Sequence, residues 1–307
     1  MPVHVADDGI TVTCPEVHRD ATMTFNFKRT LRVPDDGRDY GLPPGFGSLQ
    51  IRESEGAHMY MMPMWQSEAC WIDFRGYYPF LVTMSSGSIN VVTGEPWSPV
   101  PDFAAEDYLE IPTQPWLDGF NVEQGKVKQF VAAPLGAGYT VEEQLSPEPA
   151  RGGIQVAVYP MLASKYEPRQ WLGVGATVCG SAPPNFLEPS MGLGAGGSIT
   201  QTLATPMAPH DSWDLEHGQE FSIDIVNSAV WRELTGTEPA SLPLSAAEYT
   251  RHGMPWFAWY DDLVPARRGS SKLNKARTIS TIDADSDEPL LPENEGFEVP
   301  EPIMVTG

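Results

Sequence analysis

The sequence predicts a mainly β protein, an antiparallel β-sandwich carrying a few short helices. Three observations point there. Apolar residues recur with a period of two, turn chemistry punctuates the chain at short intervals, and the long helical runs that parallel crossovers need are missing. Turn-forming residues are abundant, with 28 Gly and 30 Pro in 307 residues.

The elements follow in order. Phe25, Phe27, Leu31 and Val33 share one face of residues 24–33, interrupted by Arg29. Residues 80–84 and 88–92 flank a Ser-Gly turn and read as a hairpin. Residues 120–123 and 126–131 flank Gln124-Gly125 and read as another. Ile154, Val156 and Val158 alternate with Gln155, Ala157 and Tyr159, while Ile199 and Leu203 share a face with Gln201. Phe221, Ile223 and Ile225 alternate with Ser222, Asp224 and Val226. Alternating side chains point to opposite faces of a sheet, so these are half-buried strands. Helix signals are few. Residues 228–234 end at Gly236, and Ser245 caps 246–251 with Glu248 at the third helical position and Gly253 as terminator. Residues 163–172 are ambiguous between periods.

Four segments emerge: an N-terminal piece, 1–23; a β-rich domain, 24–265; a basic linker, 266–282; and an acidic tail, 283–307. A sub-boundary near residue 150, in Ser-Pro-Glu-Pro-Ala-Arg-Gly-Gly, fits two packed units, and a single elaborated unit fits equally. The linker carries Arg267, Arg268, Lys272, Lys275 and Arg277 with no acid. The tail carries eight acids and no base, and such a stretch buries too little apolar surface to offset chain entropy, so disorder is expected. The basic strip is expected to contact the acidic body or tail weakly and to leave it in salt.

Charge restricts the partners. With 19 Lys plus Arg against 41 Asp plus Glu, the net charge is −22. That excludes the basic face a nucleic-acid binder needs and disfavours docking on anionic lipid. At 41% hydrophobic and 20% charged, the bulk of the chain is expected to fold as a soluble body. Cys14, Cys70 and Cys179 are an odd, widely spaced set without a CxxC pair. Together with an N-terminus that lacks a basic and apolar leader, they predict reduced thiols and a cytoplasmic location, leaderless export being the alternative route.

Each chemically suggestive motif also has a plain structural role open to it. Gly192–Gly197 matches GxGxxG, yet a period-2 strand follows where a dinucleotide site needs a helix, so a strand connection is expected. His210, Asp214 and His217 offer a metal ligand set within eight residues, against the plainer outcome of a solvated acidic loop. The Met-dense run 58–64 contains soft thioethers, but core filling is the expected role. Cys70 is a nucleophile only if His58 meets it. Two polar-aromatic groups stand out: Gln66, Glu68, Trp71 and Asp73 in the first, and Gln114, Trp116 and Asp118 in the second. Glu68 and Asp118 would form an acid–base pair if their environments split their pKa values. Tryptophan beside carboxylates also suits a sugar-like ligand. The opposing reading makes Trp71 and Trp116 core anchors.

These motifs carry a resemblance. Met62-Pro63-Met64-Trp65-Gln66-Ser67-Glu68-Ala69 with Trp71, Gln114-Pro115-Trp116-Leu117-Asp118-Gly119, Gln129-Phe130-Val131-Ala132, and Gly138–Gln144 together resemble an uncharacterised family of bacteria and fungi. The family has no established activity, and some fungal members carry ubiquitin-like domains on the same chain. The resemblance implies one ordered unit over about 25–262 and hints at an adaptor role, while supplying no catalytic residues.

The sequence therefore points first to a binding or scaffold protein that engages a protein partner or its own copies. Gln66, Trp71, Gln114, Trp116, Gln129 and Gln144 are the candidate contact residues, and no cofactor is expected. The alternatives are a carboxylate hydrolase of sugar-like substrates using Glu68 and Asp118, and a metal-dependent enzyme at 210–217.

Overall fold

A computed structural model describes residues 2–6, 9–54, 56, 58–167, 191–240, 242–254, 256–260, 265–286 and 303–306. The strands are β1 (Val3–Ala6), β2 (Gly9–Thr13), β3 (Thr22–Thr30), β4 (Asp39–Tyr40), β5 (Gly45–Ser48), β6 (Arg52–Glu53), β7 (Met59–Met64), β8 (Ala69–Arg75) and β9 (Phe80–Ser86). They continue with β10 (Ile89–Asn90), β11 (Tyr108–Ile111), β12 (Trp116–Leu117), β13 (Gly119–Glu123) and β14 (Lys126–Pro134). Helix α1 (Val141–Leu145) precedes β15 (Ile154–Pro160), β16 (Met191–Thr200) and β17 (Gln219–Asn227). After these come α2 (Ser228–Thr235), α3 (Ala246–Arg251), β18 (Phe257–Tyr260), α4 (Ser271–Lys275), α5 (Ile279–Asp285) and β19 (Ile303–Thr306).

The protein is mainly β and mainly antiparallel. One ladder runs β1-β2-β3-β8-β14-β16. A second runs β11-β9-β15-β17-β7-β6, with β17–β7 parallel. A single pairing, Met191 with Ile225, joins them. Strands β1 to β17 all belong to one network of pairings. The ladders share one core: Phe25 of β3 meets Phe221 of β17 edge-on, ring centroids 5.1 Å apart. Met62 and Met64 of β7 are buried in that core, the filling role expected of the Met-dense run. Pairings cross residue 150 throughout, as in β9 with β15 and β14 with β16, so that position divides nothing. The N-terminal piece is likewise integral, since Val3, Ile10 and Val12 are core residues.

The glycine run 192–197 is β16 itself. Its neighbours come too close for side chains: a Cβ on Gly197 would lie 2.1 Å from the Pro34 carbonyl oxygen, and one on Gly194 would lie 2.9 Å from the Tyr139 oxygen. The run exists for close packing on both faces of a strand.

Helix α1 was not predicted, although Thr140 and Glu143 form a full capping box. Its Glu142 is 1% exposed and holds three backbone amides. Oε1 accepts from Ser88 at 2.7 Å and Arg151 at 3.0 Å, and Oε2 accepts from Gly152 at 2.8 Å. One side chain therefore joins the β9–β10 turn, the entry to β15 and α1.

The basic linker is a packed element. Leu273, Ala276, Ile279 and Ile282 are buried at three-residue intervals along α4 and α5. The backbone is also held: Lys128 Nζ donates to the carbonyls of Asn274 and Ala276, and Gln144 bonds both the amide and the carbonyl of Arg277. Residues 283–286 of the expected tail complete α5, while 287–302 and 307 lie outside the described residues. The strip's ion pairs, Lys272 with Glu95 and Arg277 with Asp285, are superficial, so salt does not govern its attachment.

Two outcomes follow in denaturation experiments. Glu142→Ala lowers unfolding stability by about 3 kcal/mol or more, since three amides lose their acceptor, and Glu142→Gln by less. Leu273→Ala costs about 2–4 kcal/mol, while amide exchange within 271–285 stays the same from about 20 to 500 mM salt.

Candidate functional site

The second polar-aromatic group assembles into one site. After β11 the chain turns at Pro112 and Pro115 and re-enters the ladder as β12, where Trp116 pairs with Asp73. Trp116 is half-buried, and its Nε1 donates to Asp118 Oδ2 at 2.7 Å. Asp118 is 3% exposed, and its own amide donates to Gln201 Oε1 at 2.9 Å. Gln114 Nε2 donates to the Trp116 carbonyl at 2.7 Å, and its Oε1 accepts from the Ala204 amide at 2.8 Å. Gln114, Trp116 and Gln201 line a cavity of about 200 Å³ with Leu42, Thr113 and Thr202. Asp118 supports its Trp116 wall from within.

Burial pushes the Asp118 carboxyl from 3.8 up to about 7, opposed by the Trp116 hydrogen bond. A buried carboxyl with one indole donor gains little compensation for charge, so it holds its proton into the neutral range.

Glu68 belongs to the first polar-aromatic group. It closes the turn between β7 and β8, 1% exposed, with Oε1 2.5 Å from Arg29 Nε and Oε2 accepting from the Trp65 amide at 2.8 Å. Burial raises its proton affinity, while the Trp65 amide and Arg29 oppose that rise. Each holds its own neighbours, and both lie near enough to Cys70 to act on its thiol.

The remaining contact candidates are dispersed. Gln66 is exposed at the β7–β8 turn, and Trp71 is half-buried over Gly45. Gln129 is buried, bonding the Leu31 carbonyl and the Val33 amide. Gln144 bonds Arg277, as described. Both glutamines spend their amide groups on backbone, so the structure assigns them to holding loops and not to a contact surface. Gln201 was not singled out from the sequence. Its signal was a polar residue on the apolar face of Ile199 and Leu203.

The 210–217 loop does not gather its ligands. The His210 ring stacks on Phe103 at 4.6 Å, while His217 Nδ1 bonds Asp214, whose Oδ1 also accepts the Glu216 and His217 amides. Among the described residues no cluster of three or more His, Cys, Asp or Glu is placed to hold a metal. Cys70 is fully buried, and burial reinforced by Glu68 and Asp118 pushes its thiol up, away from the thiolate a nucleophile needs. No family model, curated protein or solved structure matches this chain.

The raised Asp118 pKa has a direction in stability. Between pH 3.8 and about 7 the folded state holds a proton that the unfolded state has released. Wild type therefore loses stability relative to Asp118→Asn as pH rises through that window. Urea unfolding of both proteins at several pH values measures the difference. A constant difference from pH 4 to 8 would refute the buried, protonated carboxyl.

Proposed function

We propose that this is a binding protein, whose contact surface centres on Trp116. The observation that carries this reading is the Trp116 ring, half-exposed at the rim of a cavity and fixed by Asp118. A rigid aromatic at a concave rim loses little conformational entropy when covered, which is the character of an interface hot spot. Thr202 and Pro115 at the rim are exposed and uncharged, so a partner meets an apolar, hydroxyl-bearing surface there. The adaptor role suggested by the family resemblance fits the same reading.

The partner is a protein or a second copy of this chain, met in a reducing cytoplasm. The supporting features are the buried free thiols Cys14 and Cys70. Burial pushes Cys14 up to about 12. Among the described residues no helix is long and apolar enough to cross a membrane. The first polar-aromatic group contributes Gln66 as a separate, exposed position.

Trp116→Ala and Thr202→Arg test the surface. Both leave the circular dichroism spectrum unchanged and lower recovery of cross-linked partner, or of the self-associated species in sedimentation, at least tenfold. A hot-spot tryptophan contributes about 2 kcal/mol or more. Equal recovery by wild type and both variants would refute the assignment.

A further inference from the structure

Packed against the loops around 92–95 and 104–106, the basic strip walls a cavity of about 620 Å³ that shares no lining residue with the Trp116 cavity. Most charges around it are already settled. Lys272 pairs with Glu95. Arg267 is 6% exposed, with Nε and Nη2 sealed from solvent, and its Nη1 donates to the Glu106 carbonyl at 2.8 Å. Arg267 is therefore a strut. It fixes Glu106, which stands at φ 51°, a left-handed conformation uncommon for a residue with a side chain. Burial disfavours the Arg267 charge, while Glu106, Tyr108, Glu110 and Asp107 favour it. Two of those carboxylates also hold backbone: Asp107 Oδ1 accepts the Asp102 amide at 2.8 Å, and Glu110 accepts the Met207 and Ala208 amides at 2.9 and 3.0 Å.

Two charges of opposite sign remain on the lining. The half-buried Glu106 and the exposed Arg268 make no ion pair, with each other or elsewhere among the described residues. A third group stands with them. Asn121 is 2% exposed, and its Nδ2 donates to the Val92 carbonyl at 3.1 Å and to the Arg268 carbonyl at 3.0 Å. Both neighbours can only accept, so the amide nitrogen faces them and Oδ1 turns away. That oxygen accepts no bond from a described residue and, unlike the Arg267 nitrogens, is not sealed. Asn121 lines the cavity, which gives this open acceptor its outlet. The Glu106 carboxylate and Asn121 Oδ1 call for an ammonium, and a guanidinium, which can only donate, calls for a carboxylate. A simple anion would be repelled by Glu106, and a simple cation by Arg268. A ligand carrying both charges satisfies both residues. They stand beyond ion-pair distance of each other, and the ends of a dipeptide lie about 7 Å apart. The cavity is in the volume range of pockets for small organic ligands.

We propose that this cavity binds a dipeptide-sized zwitterion, its free ammonium on the Glu106 carboxylate and Asn121 Oδ1 and its free carboxylate on Arg268. Val92, Ala104 and Ala105 give the walls small apolar side chains for the ligand's own side chains to meet. The site reads the two free ends of the peptide and selects against either end being blocked.

Titration calorimetry of the full chain with L-alanyl-L-alanine, its N-acetyl form and its C-terminal amide tests this. The expected result is saturable one-site binding of the free dipeptide, with each blocked form weaker by about tenfold or more, the worth of a lost charged hydrogen bond. Two side-chain changes, Glu106→Gln and Arg268→Gln, assign the ends. Glu106→Gln binds the free and N-acetyl forms equally while still discriminating against the amide. Arg268→Gln binds the free and amide forms equally while still discriminating against the N-acetyl form. A variant that keeps one discrimination and loses the other is folded, so the pattern separates contact from damage. The proposal is overturned if the free dipeptide does not saturate by about 10 mM, a very weak affinity, if the blocked forms bind wild type as tightly, or if either variant keeps both discriminations.

Discussion

The fold depends on giving buried backbone amides an acceptor where the ladders break. Glu142 is the clearest case. At the β9–β10 turn and at the entry to β15, three N–H groups point inward with no strand to receive them. An orphaned buried amide costs about 1–3 kcal/mol, so three of them would consume much of a domain's net stability. One carboxylate receives all three. The space for it is guaranteed by Gly87, where a Cβ would sit 1.8 Å from Glu142 Oε2. The turn, the helix and the strand are therefore mutually conditional.

The same constraint explains the site. Asp118, Gln114, Gln129, Gln155 and Gln201 are polar side chains, nearly fully buried and bonded chiefly to main chain or to each other's neighbours. Where such clamps face the interior they act as structure alone, as Gln129 does between Leu31 and Val33. Where they reach the surface, as around Trp116, they hold an aromatic ring in one orientation. Function, on this reading, is a surface end of a network whose purpose elsewhere is to satisfy loops.

Strands were legible because their signal is local: β15 and β17 alternate in sequence, although only β17 is half-buried and β15 is buried on both faces. The capped helices α2 and α3 were legible for the same reason, through Gly236 and the Ser245–Glu248 box. The rest needed information from distant parts of the chain. The glycines of β16 read as a flexible connection, because their reason lies in Pro34 and Tyr139. The apolar spacing of α4 and α5 was masked by the bases between the buried positions. Glutamines such as Gln144 read as contact residues because a backbone partner 133 residues away is invisible in sequence. The Gln114–Trp116–Asp118 group was found, since its members are near neighbours, while Gln201, 85 residues from Trp116, was not.

The docking of α5 bears on how the protein is made. Ala69, Val131 and Ala133 form an apolar patch on β8 and β14 that Ile279 covers. During synthesis those strands leave the ribosome well before Ile279 does. Through that interval a nearly complete ladder presents an uncovered hydrophobic face, which is the species most prone to aggregate or to recruit a chaperone. That face is sealed only once α5 itself has left the ribosome and docked.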